Sequence, residues 1–145
     1  MSLDLRPTML DDLGLAAALD WLFKRFTLQT KITVIHNLSP VDERRFPYLV
    51  ETAAFRLVQE ALTNVARYAE VKEVTVTLDV EPDLVKVSVL DSGKGFELGS
   101  LSPGTSTGIS GMRERVSWVN GKFQIHTSPN EGTFVEAVFP LLEKE

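Results

Sequence analysis

The sequence predicts an α+β fold: a two-layer α/β sandwich in which a mixed, mostly antiparallel sheet carries its helices on one face. Three observations lead there. Two pairs of short alternating segments are each joined by a turn-forming connection, which marks two β-hairpins. Apolar residues recur at helical spacing before the first pair and between the pairs. A lone β-branched run lies between two of the helical stretches. Antiparallel pairs separated by helices fit this sandwich rather than a doubly wound parallel sheet.

Leu15, Ala18, Leu19, Leu22, Phe23 and Phe26 fall at i, i+3, i+4, i+7, i+8 and i+11, one face of a helix. Asp11 and Asp12, just ahead, are expected to accept hydrogen bonds from its first amides. Lys31–Leu38 is short and β-branched and reads as a strand. His36 shares parity with Ile32, Val34 and Leu38, so it is expected to pack partly buried rather than to catalyse. Pro40 and Pro47 punctuate the next loop, and Pro47 suits a first helical turn because it lacks only an amide that has no partner there. A long helix runs from about Tyr48 to Ala69. Glu73–Val80 and Leu84–Leu90 form a hairpin across Glu81-Pro82-Asp83. Asp91–Thr107 interleaves four glycines (Gly93, Gly95, Gly99, Gly104) with Ser and Pro and reads as a loop. Gly108–Val119 reads as a helix, and Lys122–Thr127 with Thr133–Phe139 as a second hairpin around Ser128–Gly132.

The chain has 145 residues, 43% of them apolar. At this size folding buries roughly 68–70% of the unfolded surface, so a core forms without disulfide or metal staples. Zero Cys excludes thiolate zinc sites, disulfide frameworks and cysteine nucleophiles. Two distant histidines leave little room for a His metal cluster or a catalytic triad. The net charge of −5 argues against a nucleic-acid partner, which calls for a basic face. No apolar run nears the roughly 18 residues of a bilayer span, and no signal segment opens the chain, so a soluble cytoplasmic chain without direct membrane contact is expected.

Three segments carry candidate chemistry. With Leu57 at zero on a helical wheel, Leu57, Val58, Ala61, Leu62, Val65 and Ala69 fill an arc to about 140°, the buried face. Glu60, Asn64 and Arg67 cluster near about 300°, 340° and 280°, at one border of that arc. They read either as a salt-bridged helix border or, with the Asn64 amide oxygen beside a carboxylate, as ligands for a hard cation such as Mg²⁺. Asp91 shares the parity of Val85, Val87 and Val89, so its carboxylate points inward and must find donors. Gly93 and Gly95 after it permit close backbone approach. The segment is either an Asx turn or a site where Asp91 accepts from the exocyclic amine of a planar base. It is not a dinucleotide fingerprint, since the GxG opens a loop and the third glycine is missing. Thr107, Gly108, Ile109, Gly111 and Met112 lie where the glycine-rich loop is expected to become a helix. There, exposed amides either cap the helix with Ser and Thr or hold an anion such as phosphate. Thr133 shares parity with Val135, Ala137 and Phe139, so its hydroxyl is expected to reach the same interior.

Taken together, Glu60-x3-Asn64, Asp91-x-Gly93-x-Gly95 and Gly108-x-x-Gly111 resemble the N, G1 and G2 boxes of the GHKL ATPase superfamily, which includes histidine kinases, gyrase, a heat-shock chaperone and mismatch-repair ATPases. Leu5-Arg6-Pro7, Leu10-Asp11-Asp12-Leu13-Gly14-Leu15, Gln59-Glu60-Ala61-Leu62-Thr63-Asn64 and Gly111-Met112-Arg113-Glu114-Arg115-Val116 look like sensor histidine kinases that signal to DNA-binding regulators of the nitrate-response type. The resemblance spans nearly the whole chain. It implies an ATP-binding catalytic domain with Asp91 on the adenine amine, Asn64 on Mg²⁺, Glu60 on the water and metal shell, Arg67 and Tyr68 toward the phosphates, Gly108–Gly111 near them, and Thr133 supporting adenine through water. It also implies transfer of the γ-phosphoryl to a histidine, a downstream response regulator and a homodimeric parent.

Three departures qualify it. Tyr68 stands where this branch usually has His, and Ser106 replaces a common glycine of the lid. The branch carries its acceptor histidine, usually followed by an acidic residue, on a helix before Leu-Arg-Pro, and only Met1–Asp4 precede that motif here. Residues 1–14 are therefore expected to be a linker remnant of a preceding dimerisation and phosphoacceptor domain, and 15–145 the catalytic domain of a parent that is either free or membrane-anchored. Two other readings are a stand-alone GHKL serine kinase of the anti-sigma-factor type, which the LRPxxLDDLGL segment disfavours, and a catalytically inactive interaction module, which the retained Glu60, Asn64, Asp91 and glycines disfavour.

Overall fold

The computed structural model describes residues 8–95, 97 and 103–141, the side chains of 103–107 excepted. Its elements are α1 (Thr8–Leu13), α2 (Leu15–Thr30), β1 (Thr33–Asn37), a 3₁₀ turn (Ser39–Val41), α3 (Tyr48–Asn64) continued by a π turn (Val65–Ala69), β2 (Glu73–Glu81), β3 (Leu84–Asp91), α4 (Pro103–Trp118), β4 (Lys122–Thr127) and β5 (Thr133–Pro140). The five strands form one sheet in the order β1-β2-β3-β5-β4. Only β1 pairs in parallel, with β2; the other pairings are antiparallel, so the mixed, mostly antiparallel sheet is as the sequence predicts.

The period-two pattern decides which face the helices cover. Val74, Val76 and Leu78 of β2, Val85, Val87 and Val89 of β3, and Val135, Ala137 and Phe139 of β5 are all buried. On the opposite face Leu90 and Ile35 are exposed. Against the inner face α3 sets Leu57, Val58, Ala61, Leu62 and Val65, each at most 4% exposed, which is the arc the wheel predicts. Burying each Val, Leu or Phe among them stabilises the fold by about 1.5–3 kcal/mol, before the entropy of ordering them is set against it.

Three local features depart from the sequence reading. The Asp11–Asp12 pair does not cap α2, because both residues lie inside α1; Gly14, at φ 91°, precedes α2 with no side-chain cap. His36 is exposed on the edge strand, its ring 4.6 Å from that of Phe23, rather than partly buried. The third is α4, which begins at Pro103, five residues before the expected Gly108. Glycines disfavour a helix there, but Pro103 suits a first helical turn, where it lacks only an amide that has no partner, and Ile109, Met112 and Val116 at i, i+3 and i+7 anchor the helix in the core.

One ion pair, between a buried acid and an exposed arginine, had no pattern to announce it. Glu51 in the first turn of α3 is fully buried. Its Oε2 accepts from Arg45 Nε and from the Phe46 amide, both at 3.1 Å, and its Oε1 accepts from Arg45 Nη2 at 3.1 Å. The same Nη2 donates to the carbonyls of Leu10 (3.4 Å) and Asp11 (3.1 Å) near the end of α1. Glu51 thus joins α1, the loop and α3. Glu51→Ala leaves the buried Phe46 amide without an acceptor, and urea unfolding is expected to show a loss of about 1–3 kcal/mol. Glu51→Gln, which keeps an acceptor, should lose less.

Candidate functional site

The site begins with the inward parity of β3. Asp91 follows Val85, Val87 and Val89 on the core face and is itself 5% exposed. Its Oδ1 accepts the Gly93 amide at 2.9 Å, and the Thr133 amide on the paired strand also donates to it. Burial pushes the Asp91 carboxyl above its usual range, and these two amides offset part of that rise. The Asx turn is therefore present, and it does not use up the carboxylate.

Around Asp91 three backbone segments meet without intervening side chains. A Cβ on Gly93 would lie 2.3 Å from the Ala69 carbonyl oxygen, one on Gly95 2.1 Å from that of Ser128, and one on Gly132 2.2 Å from that of Asp91 itself. Gly95 and Gly132 also sit at φ 59° and 75°, where side chains are strained. Lys94 ties the same segments together: its amide donates to Ala69 O at 3.1 Å, its carbonyl accepts from Asn130, and its Nζ meets Glu70 Oε2 at 2.8 Å.

A slot of about 420 Å³, mouth included, opens between these segments and α3. Ala61, Val65 and Ala69 form one apolar wall, and Val89, Val135 and Ile125 the other. Asp91 and Thr133 are polar groups at its floor, while Asn64, Tyr68 and Gly95 border it. An open-mouthed, mostly apolar slot with few convergent polar groups suits the edge of a flat ligand that offers a proton to Asp91. Among the described residues no three His, Cys, Asp or Glu gather as a metal cluster. Mg²⁺ needs only one or two protein oxygens beside phosphate and water, and the half-buried Asn64 and Glu60 can provide them.

The structure brings together Asn64, Tyr68, Asp91, Gly95 and Thr133 around one slot. Gly93 is not a wall of it; its lack of a side chain makes room for Ala69 instead. Arg67 is exposed and lies off the slot. The wheel assumes α-helical winding up to Ala69, whereas the wider π turn rotates less per residue, which carries Arg67 farther from Asn64 and keeps Tyr68 beside it. Gly108 lies against Glu60: a Cβ there would be 2.8 Å from Glu60 Oε2. Because α4 starts at Pro103, Gly108 and Gly111 sit within the helix, and their amides are not the free ones of a helix start. Ile109 and Met112 are core residues, at 7% and 1% exposure. Thr107 belongs to α4, its side chain outside the described residues. The sequence reading did not name the apolar walls as ligand-facing, although Val89 and Val135 share the parity of Asp91 and Thr133.

Comparison with known proteins agrees with this geometry. Residues 49–143 match the family described as histidine kinase-, DNA gyrase B-, and HSP90-like ATPase. The chain is 39% identical over 143 residues to the oxygen sensor histidine kinase NreB of Staphylococcus carnosus (strain TM300), a match covering 99% of this chain and 41% of that protein. The fold resembles that of the histidine kinase domain from the Erythrobacter litoralis EL346 blue-light activated histidine kinase, with a TM-score of 0.69 at 19% identity over 91% of this chain and 68% of that one. A second structure of the blue-light activated kinase also gives a TM-score of 0.69, at 22% identity, covering 88% of this chain and 42% of that one. With its inward acid, glycine-cleared loop and one-sided sheet, the chain belongs to the family of histidine kinase-, DNA gyrase B- and HSP90-like ATPases.

Proposed function

We propose that the chain is the ATP-binding catalytic domain of a two-component sensor histidine kinase, binding Mg-ATP and donating the γ-phosphoryl to a histidine on a dimerisation domain outside this chain. The observation that carries this reading is the buried Asp91 carboxylate at the floor of an apolar slot. A desolvated acceptor is costly unless a ligand brings it a donor, and the exocyclic amine of adenine does so while its faces lie between Val89, Val135 and Ile125 on one side and Ala61 and Val65 on the other. Asn64 would hold Mg²⁺ through its amide oxygen, and Glu60 would orient the water of the metal shell. Bound Mg²⁺ would supply neutralisation of the charge that develops on the phosphates. Tyr68 borders the path from base to phosphates, and Arg67 stands exposed beyond it, within reach of solvent-side phosphate oxygens.

Phosphoryl transfer of this kind breaks the bond between the γ-phosphorus and the bridging oxygen, which leaves with ADP, and forms a bond to an imidazole nitrogen. Positioning and charge neutralisation are the protein's share. For Gly108 and Gly111 amides to meet phosphate, the first turns of α4 must unwind, and the contact between Gly108 and Glu60 opens with them. The relative NreB is named as an oxygen sensor histidine kinase, and this chain spans about two-fifths of its length. The response regulator, the homodimeric parent and a cytoplasmic location are carried over as part of the same proposal. Among the described residues no helix is long and apolar enough to cross a membrane.

Mg-ATP is expected to stabilise the chain against thermal unfolding, by about 2.7 kcal/mol at 100 times its dissociation constant. Asp91→Asn should remove most of that gain, and equal gains in mutant and wild type would sink the assignment. Without nucleotide, burial raises the Asp91 pKa in the folded state, so the native state binds the proton more tightly than the unfolded chain. The associated stability is complete below the unfolded value and is lost as pH rises through the raised one. Unfolding free energies measured across pH should show this decline in wild type and not in Asp91→Asn. Incubated alone with labelled ATP, the chain should not label itself; label on His36 or His126 would contradict an acceptor outside it.

A further inference from the structure

We infer that Thr127, which does not line the slot, sets the hydrogen-bond polarity of its floor and so favours a 6-aminopurine over a 6-oxopurine; the inference rests on the adenine reading and deepens it. Thr127 Oγ1 lies 3.0 Å from the Gly132 carbonyl oxygen and 3.0 Å from Thr133 Oγ1. A carbonyl has no proton to give, so the single hydroxyl proton of Thr127 belongs to the Gly132 bond. The bond between the two hydroxyls is then donated by Thr133. With its proton turned back toward Thr127, Thr133 shows the slot only lone pairs.

Asp91 faces Thr133 across the β3–β5 pairing, and an ionised carboxylate also only accepts. The neighbouring amides of Gly93 and Thr133 are both engaged by Asp91 and add no donor. The floor therefore presents adjacent acceptors. A 6-amino group, or a water bridging to it, brings the protons such a floor lacks. A 6-oxo group sets lone pairs against lone pairs and leaves buried acceptors unmatched, which is costlier than making no contact. Thr127 acts through Thr133 and is a positioning residue. Without its hydroxyl, Thr133 is free to rotate and donate into the slot, and the floor accommodates either base.

The test compares dissociation constants of Mg-ATP and Mg-ITP by calorimetry for wild type, Thr127→Ser and Thr127→Val. Wild type should prefer ATP, Ser should retain the preference, and Val should lower the ATP-to-ITP preference by about fivefold, the worth of one neutral hydrogen bond. Should the Val variant not fold, Thr127→Ala carries the same expectation. A merely structural role would weaken both nucleotides together and leave the ratio unchanged; that result overturns the assignment of Thr127 while the adenine slot stands. Equal affinities in wild type overturn it as well. If wild type binds neither nucleotide, the adenine reading and the role of Thr127 fall together.

Discussion

The site depends on backbone meeting backbone at three places where no Cβ fits. Gly93 clears the Ala69 carbonyl at the end of the π turn, Gly95 clears Ser128, and Gly132 clears Asp91. These contacts draw the end of α3, the loop after β3 and the β4–β5 turn to one point. Without that convergence Asp91 would end its strand in solvent, as Asp-Ser-Gly turns ordinarily do. With it, the carboxylate is enclosed by apolar walls and retains acceptor capacity beyond its two amide donors.

Such a carboxylate costs stability, since burial disfavours its charge. The remaining packing absorbs that cost. The inner face of the sheet and the facing side of α3 are mostly apolar, and the other buried acid among the described residues, Glu51, is matched by the Arg45 fork and the Phe46 amide. The two acids show opposite designs. Glu51 has its donors within the chain and serves architecture, whereas Asp91 keeps capacity for a donor from outside.

Much of this was legible beforehand. The parity of Val85, Val87, Val89 and Asp91, and of Thr133 with Val135, depends only on the two-residue period of a strand, and the structure keeps it. The buried arc from Leu57 to Val65 follows in the same way from helical geometry. The reading failed where winding depends on distant partners, and at one helix boundary. Arg67, which the wheel sets on one border with Glu60 and Asn64, lies off the slot because the helix widens at Val65, where α3 ends and the chain turns toward Ala69's contacts with Gly93 and Lys94. The start of α4 lies at Pro103 because a proline fits a first helical turn and glycine is only a weak signal against helix.

Residue order alone determined the class of fold, the face each strand turns inward and the identity of the acid at the slot floor, because alternation and helical period are properties of neighbouring residues. Tertiary structure decided the rest: that Arg45 reaches Glu51 and the end of α1, that Gly108 rests on Glu60, and that the Thr127 and Thr133 hydroxyls meet. Each of these is a meeting between segments whose separation along the chain carries no periodic signal. Only the folded geometry sets which polar groups face one another.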